Sequence, residues 1–160
     1  MPAPPARSGL ILRLAAPTDR PFLLDLWVAG WQATLPDIDF AARRAWFAAH
    51  LDTLEEAGAE TWVALGDTKG APLGFVTVSP HTGYIDQLAL APASWGSGVA
   101  AVLLAQARLR APGRLALHVN TDNPRAVRFY EREGFRRAGE AVNPRSGLPI
   151  YLYEWTEESA

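Results

Sequence analysis

Cysteine is absent from this sequence, which excludes disulfides, a catalytic thiol, zinc–thiolate sites and iron–sulfur ligation. Histidine is scarce. The three present, His50, His81 and His118, lie far apart without the paired spacing of metal ligands, so no metal is expected. No apolar run approaches the roughly 20 residues of a membrane span, and no membrane association is expected. Neither sign of charge dominates. With 15 Lys and Arg against 17 Asp and Glu, the formal net charge of −2 gives no general attraction to nucleic acid, and no nucleic-acid partner is expected. Residues 1–9 hold no apolar stretch of signal-peptide length, and their prolines predict a disordered leader. The expected location is the cytoplasm.

What is present suits a folded domain. The 160 residues are 49% apolar and 20% charged, enough to bury a core in one domain, expected over 10–160. Leu10 to Leu14 reads as a first strand. Thr18 is placed to cap a helix, with Asp19 in its positive first turn; Leu23, Leu26, Trp27, Gly30 and Trp31 then recur at spacings of three and four. Pro36 interrupts that pattern, and a second helix is predicted over Phe40 to Ala57, with Gly58 as its stop.

The period then changes. Thr61 to Leu65 and Leu73 to Val78 are β-type runs around a turn-rich segment at 66–70, which predicts a hairpin, and Tyr84 to Leu90 is the next strand. A helix with Val99, Val102, Leu103 and Ala107 as its apolar set ends at Ala111-Pro-Gly113. Leu115 to Asn120 is a strand. Asn123 caps a helix that opens on Pro124 and stops at Gly134, and Arg136 to Glu140 and Pro149 to Trp155 are closing strands. About seven strands and four helices in this order predict an α/β fold, a mixed central sheet flanked by helices.

The most informative stretch runs from Ile85 to Leu104. A strand enters a loop holding Gly96 and Gly98, and a helix opens at once. Glycines let the backbone approach a ligand closely, and the unpaired amides of a first helical turn favour an anion there. Taken alone, the loop has an equally good reading as a tight strand-to-helix turn. Gly96-Ser-Gly-Val-Ala-Ala101 also fits a dinucleotide-binding fingerprint, with Asp122 about 20 residues on. Against this, residues 91–95 separate the strand end from Gly96, and too little chain follows Asp122 to build a doubly wound sheet.

The strand Leu88-Ala-Leu90, then Ala91-Pro92 and Trp95-Gly-Ser-Gly-Val-Ala100, resembles the acyl-CoA signature of the GNAT superfamily of N-acetyltransferases. Its usual form is Gln/Arg-x-x-Gly-x-Gly/Ala, and Trp95 stands where Gln or Arg is typical. The later segment His118-Val-Asn-Thr-Asp-Asn-Pro-Arg-Ala-Val-Arg-Phe-Tyr-Glu-Arg-Glu-Gly-Phe135 is similar to that family's Asn-x-x-Ala…Phe-Tyr-x-x-x-Gly-Phe element.

The resemblance implies a mostly antiparallel sheet of the acyl-CoA N-acyltransferase fold. It implies direct transfer of an acetyl group from acetyl-CoA, the acyl-donor substrate, to a primary amine of a small molecule or protein. By position, the strand backbone at Leu88, Ala89 and Leu90 would hold the pantetheine arm and amides at Gly96, Ser97, Gly98, Val99 and Ala100 the diphosphate. Asn123 and Asn120 would lie near the pantetheine, the first also as a helix cap, the second equally as an ordinary strand end. Tyr130 takes the place of the family's general acid, or else is a core tyrosine beside Ala126 and Val127. Asp86 is the best-placed base, with His81 and His118 as alternatives and a local hydrogen bond as its plain reading. The oxyanion donor is a backbone amide around Leu90. Members often pair as homodimers. A non-catalytic coenzyme-A-binding sensor is the remaining alternative to the enzyme and to the dinucleotide-binding protein.

On the acceptor side the loop at 32–39 offers Asp37 and Asp39, the latter also as a cap, and the loop at 143–149 offers Arg145 for a carboxylate or as a solvated charge. Arg125, Arg128 and Arg132 share one helix face, either solvated or set against the coenzyme's 3′-phosphate.

Overall fold

The computed structural model describes residues 9–67 and 70–159. The leader expected over 1–9 therefore lies, apart from Gly9, outside the described residues, as does the tip of the turn at 68–69.

The chain begins with strand β1 (Ile11–Leu14) and a short 3₁₀ turn at Pro17–Asp19, and helix α1 (Arg20–Thr34) follows. Thr18 does not cap α1. Asp19 bends back instead, accepting from Arg13 Nη1 at 2.6 Å, Arg13 Nη2 at 3.0 Å and the Ala16 amide at 2.6 Å. A charge-assisted pair outcompetes the neutral hydroxyl cap and delays the helix by a turn. The second helix is likewise split into a 3₁₀ turn at Ala41–Arg43 and α2 (Arg44–Glu56), with Asp39 Oδ1 accepting from the Ala42 amide at 3.2 Å.

Strands β2 (Glu60–Leu65), β3 (Pro72–Val78) and β4 (Ile85–Leu90) complete an antiparallel sheet in the order β1-β2-β3-β4. Helix α3 (Val99–Arg110), strand β5 (Arg114–Asn120), helix α4 (Pro124–Arg132) and strands β6 (Arg136–Val142) and β7 (Pro149–Thr156) follow; the last three strands form a second antiparallel sheet in the order β5-β7-β6. The seven strands thus divide into two sheets. All their ladders are antiparallel, which removes the doubly wound dinucleotide-binding reading.

Side chains alternate across the first sheet and feed two cores. Val63, Leu65 and Phe75 pack with Leu23, Trp27 and Phe47 under α1 and α2. Ala64, Val76 and Val78 pack on the other face with Leu103, Leu104 and Tyr153.

The two sheets touch along one seam. Tyr84 and Ala116 form a single parallel bridge, closed by the Ala116 amide on the Gly83 carbonyl at 3.0 Å. Gly83 has φ +78°, and a Cβ there would lie 2.2 Å from the Arg114 carbonyl oxygen, so only glycine fits this apex. Beyond it β4 and β5 share no ladder among the described residues. The Tyr84 hydroxyl pins the seam, lying 2.7 Å from His118 Nδ1. Burial first, and the charge of Asp86 second, push the Tyr84 phenol up to about 12.

Candidate functional site

The gap between β4 and β5 exposes peptide groups. The Ala91 amide donates to the Leu73 carbonyl at 2.9 Å, so by antiparallel alternation Ala89 pairs with β3 while the backbone groups of Leu88 and Leu90 face away from it. They form a strand edge with no strand beside it.

Past β4 the chain makes a 3₁₀ turn at Pro92–Ser94 and enters the glycine loop. Gly98 adopts φ +91° at the N-cap of α3, a left-handed conformation that turns the following amides outward. The amides of Gly96, Gly98 and Ala100 donate to no acceptor among the described residues. Such a cradle suits linked phosphates, with the helix dipole adding about 0.3–1 kcal/mol. Ser97 behaves differently, its hydroxyl donating to the Ser94 carbonyl, and the Val99 side chain is buried in the core.

A cavity of about 450 Å³ joins this loop to the strand edge, lined by Leu88, Ala89, Leu90, Gly96, Gly98 and Ala100. Its far wall is α4, through Asn123, Arg125, Tyr130 and Arg132; Arg128 is not in that wall. Trp95 shapes its mouth, with the Arg125 guanidinium 3.5 Å from the centre of the indole ring. Partial burial lowers the pKa of Arg125.

Asn123 caps α4 by accepting from the Ala126 amide at 3.3 Å, and Pro124 follows as the first helical residue. At the other end the Phe135 amide donates to the Tyr130 carbonyl at 3.0 Å, while the two rings meet edge to face at 5.4 Å. These contacts fix Tyr130, which is 8% exposed. Burial raises the phenol well above its ordinary range, so it stays protonated at neutral pH.

A second cavity of about 680 Å³ adjoins the first and shares Trp27, Trp31, Leu88, Asn123, Ala126 and Tyr130 with it. Asp86, Asn120 and His118 line it; His81 does not. Asp86 Oδ1 receives His50 Nε2 at 2.9 Å and Gln87 Nε2 at 3.0 Å, and Gln87 Oε1 accepts from Trp27 Nε1 at 3.1 Å. His50 comes from α2 and stacks on Trp46 at 4.8 Å. Sequence reasoning gave His50 no role. Its only signal was its place one turn after Trp46, and nothing local points it at a carboxylate 36 residues away.

The remaining expected residues separate clearly. Arg145 reaches the second cavity, with its guanidinium 3.9 Å from the centre of the Trp46 ring. Asp37 and Asp39 do not line it, whereas Leu35 and Ile38 of the same loop do. Trp27 is core, as its helix face implies, while Trp31 and Trp46 are partly exposed to the cavities. Among the described residues there is no cluster of metal-ligating side chains, and no helix is long and apolar enough to cross a membrane.

The chain is similar to known acetyltransferases in sequence and in fold. The peptidyl-lysine N-acetyltransferase YjaB of Salmonella typhimurium is 32% identical over 130 residues, covering 81% of this chain and 86% of that protein. The solution structure of apo YjaB from Escherichia coli superimposes with a TM-score of 0.70 at 26% identity, covering 91% of this chain and 97% of that one. The PaiA N-acetyltransferase of Thermoplasma acidophilum, solved in complex with coenzyme A, shares the fold at a TM-score of 0.74 and 15% identity, covering 92% and 98%. The sequence profile of the Acetyltransferase (GNAT) family matches residues 20–135, and with the diverging sheets and open glycine loop this places the chain in the GNAT family of acetyltransferases.

Proposed function

We propose that this enzyme moves an acetyl group from acetyl-CoA to a primary amine, the amine of a lysine side chain above all. The observation that carries the reading is the pair of cavities meeting at Leu88 and Tyr130, one walled by unpaired amides and the other by an Asp–His pair. The lysine acceptor follows the named activity of the YjaB relative.

The donor side fits coenzyme A through this chain's own groups. The amides of Gly96, Gly98 and Ala100 hold the diphosphate, with Ser97 and Val99 completing the loop. The free edge of Leu88 and Leu90, flanking Ala89, bonds the pantetheine, with Asn123 beside it, while Asn120, expected there too, lines the acceptor cavity instead. Arg125, stacked on Trp95, brings to the phosphates the cation that the usual Gln/Arg of the signature would supply. Acetyl-CoA bound there supplies the thioester.

Transfer forms a C–N bond and breaks the C–S bond, so three tasks fall to the protein. The Asp86–His50 pair takes the proton of the acceptor ammonium. With Asp86 accepting from Nε2–H, Nδ1 of His50 carries the basic lone pair. The outward-facing amide of Leu90 donates to the carbonyl oxygen as charge develops on it. Tyr130, kept protonated by burial, donates its proton to the departing sulfur and is reprotonated by the proton that the attacking nitrogen sheds as the amide forms.

The test is acetyl transfer to Nα-acetyl-lysine amide, followed as thiol released from coenzyme A by a chromogenic disulfide. The cysteine-free chain adds no thiol of its own. Turnover proportional to enzyme and absent without the amine supports the reading. Saturable acetyl-CoA binding without transfer to any amine would sink it.

A further inference from the structure

We propose that Arg43 and Arg145 form an anion-binding rim on the acceptor cavity, so that the preferred acceptor carries a carboxylate beside its primary amine. This rests on the acetyl-transfer reading above and names the acceptor class.

The side chains of the second cavity that can carry charge are Arg43, His50, Asp86, His118 and Arg145. The only carboxylate among them, Asp86, is engaged by His50 and Gln87, and His118 is engaged by Tyr84. The two guanidiniums have no such counterpart. Among the described residues Arg13, Arg20, Arg44, Arg108, Arg110 and Arg114 each reach an Asp or Glu, whereas Arg43 and Arg145 do not; Arg125, Arg128, Arg132, Arg136 and Arg137 also form no such pair but lie outside this cavity. The unmatched charge of the cavity is therefore positive.

Both guanidiniums are placed rather than loose. Arg43 lies 5.3 Å from the centre of the Phe40 ring, and Arg145 lies 3.9 Å from that of Trp46. Contact with a ring face leaves the in-plane N–H fork available to an oxyanion. The loop carrying Arg145 is braced by Asn143, whose Oδ1 accepts from the amides of Arg145 at 2.8 Å and Ser146 at 3.3 Å. Asn143 is itself held by its amide on the Leu148 carbonyl at 2.9 Å.

Arg43 sits at the junction of the Ala41–Arg43 3₁₀ turn and α2. Its neighbour Arg44 is offset by Asp25 at 3.0 Å, and Arg43 has no such counter-charge. The nearby acids do not supply it, since Asp37 and Asp39 are outside the cavity and Asp39 Oδ1 is turned to the Ala42 amide.

A polyamine would set its further cations against these two guanidiniums, a repulsion that selects against it. An amine with a neighbouring carboxylate gains charge-assisted hydrogen bonds. That carboxylate has two sources, the carboxyl of a free amino acid or an acidic side chain next to a lysine in a peptide.

The experiment compares kcat/KM for Nα-acetyl-lysine, for its primary amide, for Nα-acetyl-Lys-Glu amide and for spermidine. Wild type is set beside the double variant Arg43→Gln/Arg145→Gln. One good charge-assisted contact predicts a preference of roughly tenfold or more for a carboxylate-bearing compound over the plain amide, with spermidine poorest. Which of the two carboxylate compounds leads identifies the source. In the double variant the preference falls to within about twofold, and an unchanged affinity for coenzyme A by calorimetry certifies the fold. Equal kcat/KM for the amide and both carboxylate compounds in wild type overturns the proposal, as does a preference that survives in the double variant. If no compound is acetylated, the acetyl-transfer reading fails by itself. Calorimetric titration of Nα-acetyl-lysine, of its amide and of the dipeptide into the coenzyme-A-saturated protein still decides the rim, with equal affinities refuting it.

Discussion

The two cavities that meet at Tyr130 are built from different materials. The side proposed for the coenzyme is made largely of backbone: a strand edge at Leu88 and Leu90, and the amides of Gly96, Gly98 and Ala100, open among the described residues. The acceptor side is made of side chains gathered from the first two helices, both sheets and the β6–β7 loop. Backbone donors recognise a ligand part that never changes, and they tolerate substitution wherever the local conformation survives. Side chains can be exchanged singly, so the same frame can serve different amines. On the proposed function, specificity is a property of one cavity and donor binding of the other.

Four substitutions test that division. Tyr130 sits where the cavities meet, and Tyr130→Phe should lower kcat by about 10²–10⁴-fold while leaving coenzyme A affinity within about twofold. Because burial holds the phenol above its ordinary pKa of about 10, Tyr130 should contribute no alkaline limb to the wild-type rate below that pH. Steady-state kinetics beside calorimetry would measure both, and an undiminished kcat with chemistry rate-limiting removes Tyr130 from this role.

His50→Gln should cost about 10²-fold in kcat/KM for a lysine acceptor. Coenzyme affinity should stay put. An undiminished kcat/KM would return the proton-accepting role to Asp86 alone.

On the coenzyme side, Gly98→Val forces a β-branched residue out of the left-handed conformation. At about 1–2 kcal/mol for that backbone change, affinity for coenzyme A should fall by about tenfold. The acceptor KM measured at saturating donor should not move. The smallest effect is expected for Arg125→Gln, roughly fivefold in coenzyme affinity and shrinking as salt is raised, because this guanidinium is only partly buried. Should that variant change amine preference instead, the separation of the two cavities would not hold.

Much of the frame was legible before folding was considered. The Asn123–Pro124 start and Gly134 stop of α4, the strand expected over Tyr84 to Leu90 and found from Ile85, and the open loop at Gly98 all follow from local backbone chemistry. Expectations failed where a distant partner intervened. Thr18 lost its cap role to the Arg13–Asp19 pair, and Asp37 stays clear of the cavity while its neighbour Ile38 enters it. His50 could not be found at all, since its partner lies 36 residues on, in another element. The split of the strands into two sheets hinges on one close approach at Gly83, which no periodicity reveals.

By itself the sequence determined what chemistry is impossible without cysteine, the order of the elements and the open glycine loop. Each of these depends on composition or on residues within a few positions of one another. Tertiary structure alone decided the gap between the sheets, the pairing of His50 with Asp86, and the setting of Arg145 on Trp46. Those contacts join segments far apart in the chain, and only packing of the helices against the sheets brings such groups within reach of a hydrogen bond.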